Sequence, residues 1–152
     1  MKKNLFASSL FLIFLIIGCT SKATLVKVDS RPGVSQGFIH IMPKDPPVAS
    51  VILYAGGDGN LKLTGPSAMN WGEGNFLVRT RYQFAAHGFQ VAVIDTPEDK
   101  WGHMYLSRSS NKHVIDSKAV ATFLRSLANV PVWIVGTSRG TDSIANLAFS
   151  KN

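Results

Sequence analysis

Gly136-Thr137-Ser138-Arg139-Gly140 places a serine between two glycines in the pattern G-x-S-x-G. An apolar run of strand length, Pro131 to Val135, precedes it, and Thr141 to Phe149 after it reads as a helix. In such a context the serine sits on a sharp strand-to-helix turn. Glycine at both outer positions removes side chains that would collide where the chain doubles back. The hydroxyl is lifted above the sheet, and the first N–H groups of the helix lie beside it, where negative charge would develop during attack on a carbonyl. The competing local reading is an ordinary tight turn with Ser138 as a helix N-cap.

A serine hydroxyl is a weak nucleophile until a base within hydrogen-bond reach takes its proton. The four histidines, His40, His87, His103 and His113, all precede Ser138. His103 follows the strand that ends near Asp95 and belongs to the same side of the sheet as Ser138, yet a loop position outweighs a catalytic one. His40 reads as solvent-facing on an early strand, His87 as a helix cap and His113 as a helix start. Asp95 suits a structural hydrogen-bonding role. The second candidate feature is Gly56-Gly57-Asp58-Gly59, directly after an apolar strand. No G-K-[ST] follows it, which argues against a phosphate cradle.

The elements that must position these residues are legible from hydrophobic runs. Val34–Met42 alternates partially and suits an exposed early strand. Ala49–Ala55, Phe89–Ile94 and Pro131–Val135 are continuous apolar runs of the kind buried on both faces of a parallel sheet. Helices are expected over Asn75–Ala86, stopped by His87-Gly88, and from an Asn111 cap to about Ala128, where Val120, Phe123, Leu124 and Leu127 share one face. Buried strands alternating with helices give an α/β fold, a mainly parallel sheet with flanking helices.

This order of strand, GGDG loop, helix, strand, helix, strand and GTSRG turn resembles the α/β-hydrolase superfamily, in particular bacterial secreted or lipoprotein hydrolases near the dienelactone-hydrolase group. The resemblance covers roughly Val34 to Ser150. It implies Ser138 as nucleophile, Gly136 and Gly140 as the glycines of its elbow, and backbone N–H groups of Gly57 and Arg139 as the oxyanion hole. It implies an ester, amide or lactone as the small-molecule substrate, with no cofactor and no metal. In that family the acid and histidine follow the serine. Here no histidine follows Ser138, and Asp142, one turn along the last helix, is the sole carboxylate after it. A truncated α/β-hydrolase fold is therefore expected over residues 33–152, with the elbow strand at an unprotected sheet edge and a tendency to associate. The alternative is a non-catalytic, membrane-anchored lipoprotein or binding domain from a truncated gene, and the loop aromatics Trp71, Trp101 and Tyr105 offer a partner surface.

The N-terminus has its own logic. Lys2 and Lys3 precede an apolar run from Leu5 to Ile17, too short for a membrane span of about 20 residues. Gly18-Cys19 after that run resembles the bacterial lipobox. This implies a signal peptide over 1–18, lipidation of Cys19, a polar tether over 19–32 and a lipid-anchored protein of the cell envelope, most simply at the outer membrane facing the periplasm. Cys19 is the only cysteine, so no intramolecular disulfide is possible. The net charge is +7 over 152 residues, and cleavage after Gly18 takes it to +5. The basic residues are scattered with no dense or aromatic-interleaved patch, which argues against nucleic-acid binding and fits a solvated face near anionic headgroups. No His/Cys/Asp cluster has metal-ligand spacing.

Overall fold

A computed structural model of the chain describes residues 21–150 apart from Trp101. The expected signal peptide and Cys19 lie outside the described residues. Five strands, β1 (Ala23–Arg31), β2 (Val34–Ile41), β3 (Ala49–Tyr54), β4 (Phe89–Pro97) and β5 (Val132–Gly136), form one sheet in the order β1-β2-β4-β3-β5. β3 pairs in parallel with β4 on one side and with β5 on the other, while β1 and β2 add an antiparallel hairpin beyond β4. All six residues of β3 are buried, as its unbroken apolar run requires of a strand covered on both faces.

Helices cover both faces. On one side α1 (Phe76–Arg79) and α2 (Arg81–Ala86) bring Leu77, Val78 and Ala85 against Ile39, Val51, Leu53, Val91 and Val93. On the other, α3 (Asn111–Leu127) and α4 (Gly140–Phe149) bring Val120, Leu124, Ile144 and Leu147 against Phe38, Ile52, Ala92 and Ile94. The result is an α/β/α sandwich.

Three local expectations are corrected. The expected polar tether contains strand β1, whose pairing runs from Ala23 opposite Ile41 to Arg31 opposite Val34, closed by a turn in which Gly33 adopts φ +70°. An edge strand with one open side needs no long apolar run, so Thr24, Lys27 and Asp29 did not read as sheet. The expected helix Asn75–Ala86 is two short ones. The Thr80 hydroxyl donates to Phe76 O at 2.7 Å, a back-bond that competes with the helical ladder. Finally, α3 is capped by Ser110 rather than Asn111: Ser110 Oγ accepts from His113 N at 3.2 Å.

What holds β1 in place is electrostatic as well as hydrogen-bonded. Arg31 Nε donates to Asp116 Oδ1 at 2.8 Å, and its terminal nitrogens chelate the Asp99 carboxylate at 2.8 and 2.9 Å. Asp116 is 1% exposed. Ser30 Oγ donates to the same Asp116 oxygen, so the carboxylate on α3 is satisfied by two residues of β1. A buried charge is tolerated only when so paired. Asp116→Ala leaves Arg31 with Asp99 alone and a cavity beneath β1; chemical denaturation should show a loss of about 3 kcal/mol, the lower end for breaking a buried pair. An unchanged midpoint would mean that the hairpin alone secures β1.

His113 gives the fold a pH dependence. It is 3% exposed in the first turn of α3, with its ring edge-on to Tyr54 at 5.7 Å between centroids. Burial pulls its pKa down to about 4, the Arg108 cation adds to this, and Asp116 opposes it. A histidine depressed in the folded state stabilises fully above its unfolded pKa and loses that contribution as pH falls toward the folded value. The window is therefore from about 6.5 down to about 4, with a ceiling of about 3 kcal/mol for a shift of this size. His113→Phe should flatten the stability profile across that window; an unaltered slope would assign it to other groups.

Candidate active site

The site is built where β3 and β5 end side by side. The register sets Tyr54 opposite Gly136, so the GGDG segment and the GTSRG turn leave the sheet as neighbours. This is the carboxyl end of a parallel pair, where the strand order doubles back, the place where open α/β sheets form their binding crevices.

Ser138 has φ +50°. A left-handed conformation at a non-glycine residue costs on the order of 1–2 kcal/mol and is kept only where surrounding contacts impose it. Those contacts are visible. A Cβ on Gly136 would lie 2.5 Å from Gly140 O, and one on Gly140 would collide with the Tyr54 carbonyl oxygen. Both outer glycines are thus required by close backbone packing. Gly140 N–H donates to Thr137 O at 2.8 Å and Thr141 N–H to Ser138 O at 2.9 Å, so the first turn of α4 closes directly over the serine. Ser138 is exposed.

Gly56 is the residue of the GGDG segment that touches the turn. A Cβ there would sit 3.0 Å from Thr137 O and 3.1 Å from Ser138 Cβ. The sequence points to Gly57 as an oxyanion donor; its neighbour in the glycine doublet, Gly56, is the residue packed on the turn. Gly57 follows at φ +60°, with the Trp71 indole packed against its Cα. Among the described residues, neither the Gly57 nor the Arg139 N–H donates to another backbone group. Both remain available to an external oxygen.

The loop from Glu98 to Ser110 braces this arrangement. Met104 N–H donates to Asp58 O at 2.8 Å. Arg108, 2% exposed, donates to Ala55 O and to Ser143 Oγ, both at 2.8 Å, tying the end of β3 to α4. Burial pulls the Arg108 guanidinium below its usual range, and Asp142 on α4 offsets this. Asp142 faces Arg108 from the first turn of its helix. Asn146 of α4 donates to the carbonyls of Arg108 and Ser110.

The other candidates are placed elsewhere. Asp95 accepts from Leu61 N–H at 2.7 Å, Leu63 N–H at 2.9 Å and Thr96 N–H at 2.8 Å, a structural clamp on the loop after β3. His40, expected at the surface, is buried, bonded to Gln90 at 3.1 Å and edge-on to Phe123. The hairpin and α3 cover the face that sequence had left open. His87 ends α2, with Nδ1 against Gln83 O. His103 stacks on Tyr105 at 4.3 Å between centroids. Among the described residues no histidine is hydrogen-bonded to Ser138. A cleft of about 830 Å³ lies beside the Asp95 clamp between Lys27, Lys62 and Lys100, and Ser138 does not line it. No group of three metal-ligating side chains occurs among the described residues, and none of their helices is long and apolar enough to cross a membrane.

Comparison with solved structures decides the fold. An esterase from Pyrococcus furiosus superposes with a TM-score of 0.60 at 16% identity over 86% of this chain and 47% of its own. A lidless α/β serine hydrolase from Xanthomonas campestris gives 0.56 at 15% identity, over 84% and 57%. The fold is that of the α/β serine hydrolases. An α/β serine hydrolase homologue from Coxiella burnetii agrees, with a TM-score of 0.54 at 17% identity over 82% and 56%. The chain thus spans about half the length of the α/β hydrolases it matches. By sequence, no family model and no curated protein matches it.

The strain at Ser138 can be measured. Ser138→Gly and Ser138→Ala both remove the hydroxyl, but only glycine occupies φ +50° without cost. Relief of about 1–2 kcal/mol is partly offset by the larger unfolded-state entropy of glycine, about 0.4–1 kcal/mol. The glycine variant should therefore melt above the alanine variant; equal melting would show that the turn is unstrained.

Proposed function

We propose that this α/β-hydrolase-fold domain belongs to a serine hydrolase of esters, amides or lactones, with Ser138 as nucleophile. The observation that carries the reading is the left-handed Ser138 held between two close-packed glycines, with Gly56 against its Cβ. Attack by Ser138 Oγ on a carbonyl carbon moves charge onto the carbonyl oxygen. In this reading the N–H groups of Gly57 and Arg139, which have no backbone acceptor among the described residues, receive that charge, the larger part of such catalysis. The reaction also requires a base, and the described residues hold none at Ser138. In this reading the histidine and its acid come from outside them.

That missing base favours one alternative, a non-catalytic binding domain that keeps the elbow geometry without the reaction. In either case we propose that the protein is anchored to the cell envelope by lipid on Cys19, on the strength of the Gly18-Cys19 motif after an apolar leader.

A fluorophosphonate probe reports a serine activated by a base. Labelling of the native protein that disappears in Ser138→Ala supports the hydrolase, and absence of labelling in the folded protein supports the binding domain. Mass spectrometry of the N-terminal peptide should show a lipidated Cys19; an unmodified Met1 terminus would refute the anchor.

A further inference from the structure

The two proposed oxyanion donors belong to separate segments, one a glycine loop and the other a turn. Two contacts made by one aromatic residue join them, and a third supports its ring. The Tyr105 hydroxyl donates to Asp58 Oδ1 in the loop that carries Gly57. The Arg139 guanidinium lies 3.9 Å above the centroid of the same ring. His103 stacks on that ring at 4.3 Å with planes 29° apart. The neighbouring Met104 N–H fixes the Asp58 carbonyl at 2.8 Å, so the Tyr105 backbone is held to the loop as well.

We propose that Tyr105 is a positioning residue for the oxyanion hole, locking the Gly57 N–H and the Arg139 N–H at a fixed separation. The inference rests on the hydrolase reading. Its physical basis is that an oxyanion hole acts by preorganisation: donors misplaced before the reaction must be reorganised during it. Asp58 and Arg139 carry opposite charges and meet on Tyr105 rather than on each other. The ring sets the spacing between them, the hydroxyl pinning one and the π-face the other. The Asp58 carboxylate also holds the Tyr105 hydroxyl above its usual pKa, so the group donates throughout the neutral range. Tyr105 is 40% exposed and lies outside both hydrophobic clusters, so substitution there leaves the core intact.

The test uses the native full chain with Tyr105→Phe, which keeps the ring and loses the hydroxyl, together with Asp58→Ala, which removes the acceptor, and the double variant. Time-resolved fluorophosphonate labelling separates the binding constant of the probe from the maximal rate of serine modification. Thermal melting accompanies it. The expected result for Tyr105→Phe is an unchanged melt and probe affinity and a labelling rate at least tenfold lower. The double variant should lose no more than the worse single one, since both remove the same bond. A residue with a merely structural role would move the melt and not the rate-to-affinity split. If the wild type labels at Ser138 and Tyr105→Phe labels as fast, the positioning role is overturned and the hydrolase reading stands. If the wild type does not label, the hydrolase reading fails and the inference fails with it.

Discussion

The pairing of β5 with β3, with Gly136 opposite Tyr54, is the constraint on which the site depends. It is a backbone contact more than a side-chain one. Gly140 lies so close to the Tyr54 carbonyl that no side chain fits, and Gly136 is equally close to Gly140. Given that approach, the chain has to reverse within the residues between the two glycines. Ser138 takes the left-handed conformation because its neighbours leave it no other path. The same pairing delivers Gly56 to the Ser138 Cβ, so the GTSRG turn and the GGDG segment are brought together by one strand register.

Around this rigid centre the polar contacts are arranged by depth. Arg108 is buried and holds backbone and α4 together from below. Asp95 is consumed by three N–H groups and fixes the loop beyond the glycines. Tyr105, Asp58 and Arg139 lie nearer the surface, where a charge pair through an aromatic ring costs little desolvation. Farther out, Arg31 and Asp116 attach the hairpin to α3. Strain at the serine is thus supported by buried hydrogen bonds beneath the turn.

The sheet has two unlike edges. On the hairpin side β1 is half exposed, carries charged residues and is secured by the ion pair to α3, which are ordinary protections of an edge. On the other side β5 pairs only with β3 among the described residues, and Trp133 is exposed there. Among the described residues β5 is thus the other edge strand of the sheet, and the GTSRG turn leaves from it.

Local patterns were enough to determine the three parallel strands, the helix α3 and the elbow. Each is announced by a short run of neighbouring residues: five apolar residues of six for β3, apolar spacing along α3, glycines flanking a serine between strand and helix. Local patterns did not reveal β1, because an edge strand with mixed polarity has no periodicity of its own and is stabilised by partners distant in the chain, β2 through the ladder and Asp116 through Arg31. They misplaced His40, whose burial depends on α3 covering the hairpin face. They could not show that Gly56, rather than Gly57, touches Ser138, or that Tyr105 joins Asp58 to Arg139. Those contacts link residues far apart in sequence. Only the tertiary structure decided them, because strand register and loop packing, not composition, set which side chains meet.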